Sequence, residues 1–291
     1  MKPATHRPPR DRSGELLGGR YRLTDLIDRG GQGMVYRAED VRDHDLVAIK
    51  VLNDTIAAEP EWRERMFREA HALANLGGTA AVRVLDQLWT SDGALCLVME
   101  YLHGQDLDDY LSGVEAGGGR LPVGALLELI VPVVETLEAA HRQGIVHRDI
   151  KSANIFVLDP ARGGGVRLLD FGLAKFMRLR SFTHDGFIAG SPSYIAPEAW
   201  QGGKLDQRID VYALGAVMYR ALAGEPPFAA DSLDEMLRLA TRAERPSLRA
   251  KRPDLPPDVD DWVKQVLAID PARRFVRLRG MLQAFKSLIS S

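Results

Sequence analysis

Cysteine occurs once in the 291 residues, as Cys96, which excludes an internal disulfide and suits a reducing compartment. Charge of one sign is not in excess. Lys and Arg number 38 against 40 Asp and Glu, a formal charge of −2, so nothing in the overall balance argues for nucleic acid or an acidic membrane surface as partner. No apolar run approaches the roughly 18–20 residues that a membrane helix requires. The opening MKPATHRPPRDRSGE lacks the apolar core of a signal peptide. Repeats are absent, and low complexity is confined to glycine runs at 117–119 and 163–165. What remains is an ordinary globular composition, 45% hydrophobic and 27% charged. These absences leave a cytoplasmic enzyme or regulator as the expectation.

The chain changes character near residue 102. Residues 1–19, rich in Pro, Arg and Ser, read as a disordered basic tail. Short β-type runs follow at Tyr21–Ile27, Met34–Ala38, Leu46–Leu52, Val82–Trp89 and Ala94–Tyr101, separated by turn residues. One helix interrupts them, from about Pro60 to Leu76, starting at Pro and stopping before Gly77-Gly78. Beyond Tyr101, apolar residues recur at helical spacing over 123–143, 207–223, 231–243, 258–268 and 277–289. A small β-rich lobe followed by a larger helical one, with a cleft between them, is the expected organisation.

Some polar residues do not fit that scaffold as structure. HRDIKSANIF (147–156) sets a carboxylate (Asp149), an ammonium (Lys151) and an amide (Asn154) between apolar runs. Half-buried polar groups are costly unless paired, so the cluster has a structural or a chemical task. IFVL (155–158) and VRLL (166–169) read as a hairpin joined by DPARGGG. Pairing 155 with 169 and 158 with 166 puts Asn154 opposite Asp170, with facing Cα atoms roughly 5 Å apart. Hard oxygen donors of this kind suit Mg²⁺ carried in with a phosphate; both residues also read as simple turn caps. In the helix at 60–76, Glu69 lies within the apolar stripe Trp62, Met66, Leu73 and Leu76. It reads as a surface carboxylate at the stripe's edge, or as partner to a cation such as Lys50 in VAIKVL.

The ordered set GGQGMVY, VAIK, RE within a helix, MEYL, HRDIKSAN, DFG, GSPSYIAPE, DVYALG and DPARRF resembles a protein kinase. The likeness is greatest to the bacterial serine/threonine kinases of eukaryotic type, and it runs from about Arg20 to Leu288. It implies an α+β, two-lobed kinase fold: a small antiparallel-sheet lobe with one key helix (20–101) and a larger, mainly helical lobe (102–288). It also implies transfer of the γ-phosphoryl group of Mg-ATP to Ser/Thr hydroxyls of proteins, the chain's own activation loop included. Under this resemblance Lys50 holds the α- and β-phosphates and pairs with Glu69. Asp149 orients the acceptor hydroxyl and takes its proton, Lys151 neutralises the γ-phosphoryl, and Asn154 and Asp170 bind Mg²⁺.

The resemblance extends to nucleotide contacts and regulation. Gly30, Gly31, Gln32 and Gly33 form the phosphate loop; Ile27, Val35, Ala48 and Phe156 enclose the adenine; Met99 matches the gatekeeper. The backbone of Glu100 and Leu102 meets the adenine edge, and Asp106 lies near the ribose. Lys151 and Ser191 resemble the Ser/Thr-specific branch. Glu198 is expected to pair with Arg274, and Asp210 to support the catalytic loop from beneath. Ser181 and Thr183 are the activation-loop acceptors whose phosphate Arg148 would receive. Back-to-back small lobes are common in similar kinases, so a homodimer is one expected state. Nucleic acid and a membrane segment are not expected.

Two departures stand out. Asp28 occupies a place usually held by glycine, and NLGGTAAV (75–82) lacks the usual His-Pro. A scaffold that keeps nucleotide as a structural ligand has only Asp28 in its favour. GSPSYIAPE, which resembles a peptide platform, speaks against a small-molecule kinase.

Overall fold

The computed structural model describes residues 11–30, 33–52, 76–171, 192–203 and 205–290. The chain divides into two units, Met1–Ala74 with Val82–Leu102, and Asn75–Ala81 with His103–Ser291.

The first unit is built on a six-stranded sheet of order β1-β2-β3-β4-β6-β5, antiparallel at every pairing. Its strands are β1 (Leu16–Leu17), β2 (Tyr21–Gly30), β3 (Gly33–Asp40), β4 (Leu46–Leu52), β5 (Val84–Trp89) and β6 (Leu95–Glu100). Alternation explains the core. Met34, Tyr36 and Ala38 on β3, Val47, Ile49 and Val51 on β4, and Cys96 and Val98 on β6 all fall on one buried face. Burial pushes the Cys96 thiol up to about 12, since the thiolate has no water to stabilise it.

Residues 11–19 correct the expected tail. Leu16–Leu17 pair with β2, Gly14 N–H donates to Leu23 O (2.9 Å), and Arg12 bridges Glu15 (2.9 Å) and Asp92 (3.0 Å). Buried Leu17 and these ties to the sheet outweigh the polar composition that suggested disorder.

In the second unit a small sheet of order β7-β8-β9 comprises Gly104–Asp106, Ile155–Leu158 and Val166–Leu168. The described helices are α1 (Leu107–Ala116), α2 (Val123–Arg142), α3 (Pro197–Trp200), α4 (Arg208–Ala223), α5 (Leu233–Arg242), α6 (Val259–Val266) and α7 (Leu278–Ile289). Helix α4 is buried along nearly its whole length, from Ile209 to Ala223. Gly215 lets α6 approach it closely: a Cβ there would lie 2.4 Å from Val266 Cγ2. On α7, Phe285 packs against Trp262 of α6 in a tilted arrangement, with ring centroids 5.0 Å apart.

The stretch 75–81 goes with this second unit, although the sequence reading assigned it to the small lobe. Ala80 explains why: its N–H donates to Thr136 Oγ1 on α2 (2.9 Å) and its carbonyl accepts from Leu168 N–H (2.6 Å).

Candidate active site

In the first unit, strand register gathers several of the expected nucleotide residues. Lys50 lies between Val35 on β3 and Leu97 on β6, while Ala48 faces Met99. Facing residues of antiparallel strands share a side, so Val35, Ala48, Lys50 and Met99 lie on the side opposite the core residues. Lys50 is 6% exposed. Ile27 is placed differently from its neighbours. A register irregularity between Leu26 and Asp28 sets Asp28, not Ile27, opposite Val35, and leaves Ile27 half exposed.

Gly30 pairs with Gly33, whose φ of 153° and proximity to Val51 O leave no room for a side chain; a Cβ would sit 2.1 Å from that oxygen. Glu100 is tied to Arg83 twice, giving its N–H to Arg83 O (3.0 Å) and accepting from Arg83 N–H at Oε1 (2.9 Å). Leu102 follows β6, half-buried. Gly31, Gln32, Glu69, Ser181, Thr183 and Ser191, and the helix expected over 60–76 apart from Leu76, lie outside the described residues.

The second unit holds the polar cluster. Asp106 on β7 pairs with Phe156 on β8, bringing two expected nucleotide residues side by side. Asp106 is also the N-cap of α1, accepting from Asp109 N–H (3.0 Å). Burial, with Asp109 and Asp108 nearby, raises its pKa despite that hydrogen bond.

Loop 147–154 is held from below by one carboxylate. Asp210, fully buried in the first turn of α4, accepts from His147 N–H (2.9 Å) and His141 Nε2 (2.7 Å) at Oδ2, and from Arg148 N–H (2.8 Å) at Oδ1. Its expected supporting role is therefore present in the geometry. Arg148 adopts a left-handed φ of 64°, a conformation that non-glycine residues keep only when their surroundings fix it.

His147 ties the loop to the strand end. Its Nε2–H donates to Leu169 O (2.9 Å) and its Nδ1 accepts from Asp149 N–H (3.2 Å), which defines a neutral ring in one tautomer. Burial lowers its pKa against the pull of Asp210, Asp149 and Asp170. Asn154 closes the loop: its Nδ2 donates to Asp149 O (2.7 Å), leaving Oδ1 as the atom oriented to accept.

The hairpin register is shifted by one from that expected. Ile155 faces Leu168 and Val157 faces Val166, and Leu169 N–H donates to Asn154 O (2.8 Å). Asn154 is thus opposite Leu169, with Asp170 one residue beyond. The DPARGGG turn accounts for the shift, with a 3-10 turn over Pro160–Arg162 and left-handed Gly163, Gly164 and Gly165. Asp170 itself has φ 48°, so strand alternation ends there.

The donor set suits a cation that brings most of its ligands along. Asn154 and Asp170 carry hard oxygen donors, the type that holds a cation together with substrate phosphate and water.

Lower in the unit, Glu198 and Arg274 form the expected buried pair, bidentate with both N–O distances 2.7 Å. Sequence reasoning did not single out Asp108, Ser152, Tyr194 or Arg220, which form a polar cluster beside the loop. The signal present in the sequence was a lone arginine on the otherwise apolar helix VYALGAVMYRALA.

Comparison with known proteins agrees with this geometry. The family model described as "Protein kinase domain" matches residues 21–285. Serine/threonine-protein kinase pkn3 of Myxococcus xanthus is 35% identical over 90% of this chain and 48% of its own length. PknL of Mycobacterium tuberculosis is 38% identical over 89% of this chain and 63% of its own. The chain therefore spans about half to two thirds of the length of these relatives. Among solved structures, the Mycobacterium tuberculosis PknI kinase domain aligns with a TM-score of 0.73 at 30% identity, covering 95% of this chain and 98% of that one. With its sheet unit, helical unit and anchored polar loop, this chain belongs to the protein kinase domain family.

Proposed function

We propose that this chain is a serine/threonine protein kinase that transfers the γ-phosphoryl group of ATP to protein hydroxyls, with Mg²⁺ as its divalent cation. The observation that carries the reading is the loop 147–154. Its carboxylate, ammonium and amide are held by Asp210, His147 and a 3-10 turn rather than by regular structure. Such expenditure of buried polar groups on an irregular loop suits positioned chemistry better than packing.

In the proposed reaction Asp149 accepts the proton of a serine or threonine hydroxyl. That oxygen bonds to the γ-phosphorus while the bond from this phosphorus to the β–γ bridging oxygen breaks, releasing ADP. Lys151 balances charge on the group in transfer, and Lys50 holds the α- and β-phosphates with Glu69 as its partner. Asn154 and Asp170 would hold Mg²⁺, which when bound neutralises phosphate charge. In the sheet unit, Val35, Ala48 and Met99 receive the adenine. Positioning and charge balance suffice for phosphoryl transfer, so two lysines, two carboxylates and an amide are enough.

Lys151 and Ser191 support hydroxyl acceptors on serine or threonine, as do the names of the relatives. Ser181 and Thr183 are proposed as the chain's own targets, with Arg148 receiving the phosphate. A reducing, cytoplasmic setting is proposed from the single thiol. No described helix is long and apolar enough to cross a membrane.

The test is intact mass before and after incubation with Mg-ATP and a general protein substrate such as casein, with Asp149→Asn alongside. Added phosphate on either protein, lost in the variant, supports the reading. Wild-type protein that adds none while still binding ATP overturns it.

A further inference from the structure

The cluster beside the catalytic loop has a defined proton order. Ser152 Oγ–H donates to Asp108 Oδ1, so Tyr194 O–H is the donor in its 3.0 Å contact with Ser152 Oγ. Arg220 Nη1 directs its two N–H groups at three acceptors, one of them shared: the same Asp108 oxygen, Ser152 Oγ (3.2 Å) and Tyr194 Oη (3.2 Å). Ser152 Oγ therefore gives one hydrogen bond and takes two, its full capacity. Ser152 is completely buried and Tyr194 is 5% exposed, while Asp108, with its side chain 38% exposed, brings the chain out to water at its far end.

Each member comes from a different element. Asp108 is on α1, Ser152 lies between Lys151 and Asn154, Tyr194 ends the 3-10 turn 192–194, and Arg220 is in the last turn of α4. Asp210, which holds the other end of the loop, is in the first turn of that same helix. Ten helical residues separate the two anchors, about 15 Å of rise. The chain from His147 to Ser152 can span about 16–18 Å when extended, and Lys151 is extended, at φ −158° and ψ 164°. Helix α4 therefore touches the loop at both ends, through Asp210 in its first turn and Arg220 in its last.

We propose that Arg220 is a positioning residue: through Asp108 and Ser152 it fixes the Lys151–Asn154 end of the loop and locks it to the 192–194 turn. The proposal rests on the kinase reading. It predicts that loss of the clamp lowers transfer far more than nucleotide binding, because none of the four residues is among those proposed to touch the nucleotide and only Asn154, through Mg²⁺, links the loop end to it. A misplacement near 1 Å costs on the order of 100-fold in rate.

Steady-state transfer to casein and amide hydrogen exchange test it on the full chain with Ser152→Ala, Tyr194→Phe, Arg220→Met and Arg220→Lys. Ser152→Ala and Arg220→Met are expected to lower kcat about 10- to 100-fold, with KM for ATP within about twofold of wild type. Arg220→Lys, which keeps a cation for Asp108, is expected to recover part of that loss. Tyr194→Phe should cost less in the Ser152→Ala background than in wild type, since the hydroxyl then keeps only its contact with Arg220 (3.2 Å). Amides at 150–155 should exchange faster in Ser152→Ala, even though that variant removes a single oxygen.

A kcat within twofold of wild type in both Ser152→Ala and Arg220→Met, or a fall matched by the unfolded fraction, overturns the clamp. If wild-type protein transfers nothing, the kinase reading fails, and the exchange of amides 150–155 decides the clamp alone: unchanged protection overturns it.

Discussion

The two units position their candidate functional groups by opposite means. In the sheet unit, Val35, Ala48, Lys50 and Met99 are placed by backbone ladder and parity. In the helical unit, Asp149, Lys151 and Asn154 sit on a loop whose shape depends on individual side chains: the buried Asp210, His147 and Ser152, and the half-buried Arg220. A ladder distributes its cost over many bonds, whereas a loop held by a few atoms concentrates it. Damage to one side chain should therefore cost little in the first unit and much in the second.

Asp210→Ala should break the comparison open furthest. It leaves two backbone N–H groups and His141 Nε2 without their buried acceptor. Removing one partner of a buried charged network costs about 3–5 kcal/mol. Urea denaturation should show that loss, with transfer down at least 100-fold. Gly215→Ala comes next. The new methyl meets Val266 at 2.4 Å in a helix pair with no slack, so about 1–3 kcal/mol of overpacking is expected in the same assay. For the sheet unit, Ile49→Val removes one methylene from a fully buried site and should cost only about 0.5–1.5 kcal/mol. A cost above that of Asp210→Ala would reverse the contrast.

The smallest effect is in pH. The His147 pKa is lowered by burial, so as pH falls below about 6.5 the unfolded chain takes up the proton before the folded one. Its contribution is present above that value and lost toward acid. Urea midpoints at pH 7.5 and 5.5 should differ less in His147→Gln than in wild type; an equal difference in both would show that His147 is not the group concerned.

How much was legible follows from the same contrast. Alternation in β3, β4 and β6 is a property of consecutive residues, and those strands fell within about two residues of their expected ends. The long apolar helices at 123–142 and 208–223 were equally plain. The fold class could be read from motif order. What could not be read was geometry set by turns: the irregularity at Ile27, and the hairpin register that depends on three left-handed glycines. Helix α1 was missed because it buries only Leu107 and Leu111, and its cap, Asp106, had been given a ligand's role.

The polar loop announced itself by the cost of its charges. The clamp did not, since Ser152 finds partners 44 and 68 residues away and Arg220 finds Asp108 at 112. No local pattern marks such a meeting.

Cys96 lies on β6, between Val51 of β4 and Leu88 of β5, with none of its surface exposed and its thiol pushed up to about 12. Being the sole sulfhydryl, it turns the protein into its own clock. A thiol reagent can react only during excursions that part β6 from its neighbours, so the labelling rate of native protein counts openings of the sheet unit and is silent about the helical one. Followed against nucleotide concentration, that one rate would report how firmly an occupant fastens the strands that carry Lys50 and Met99.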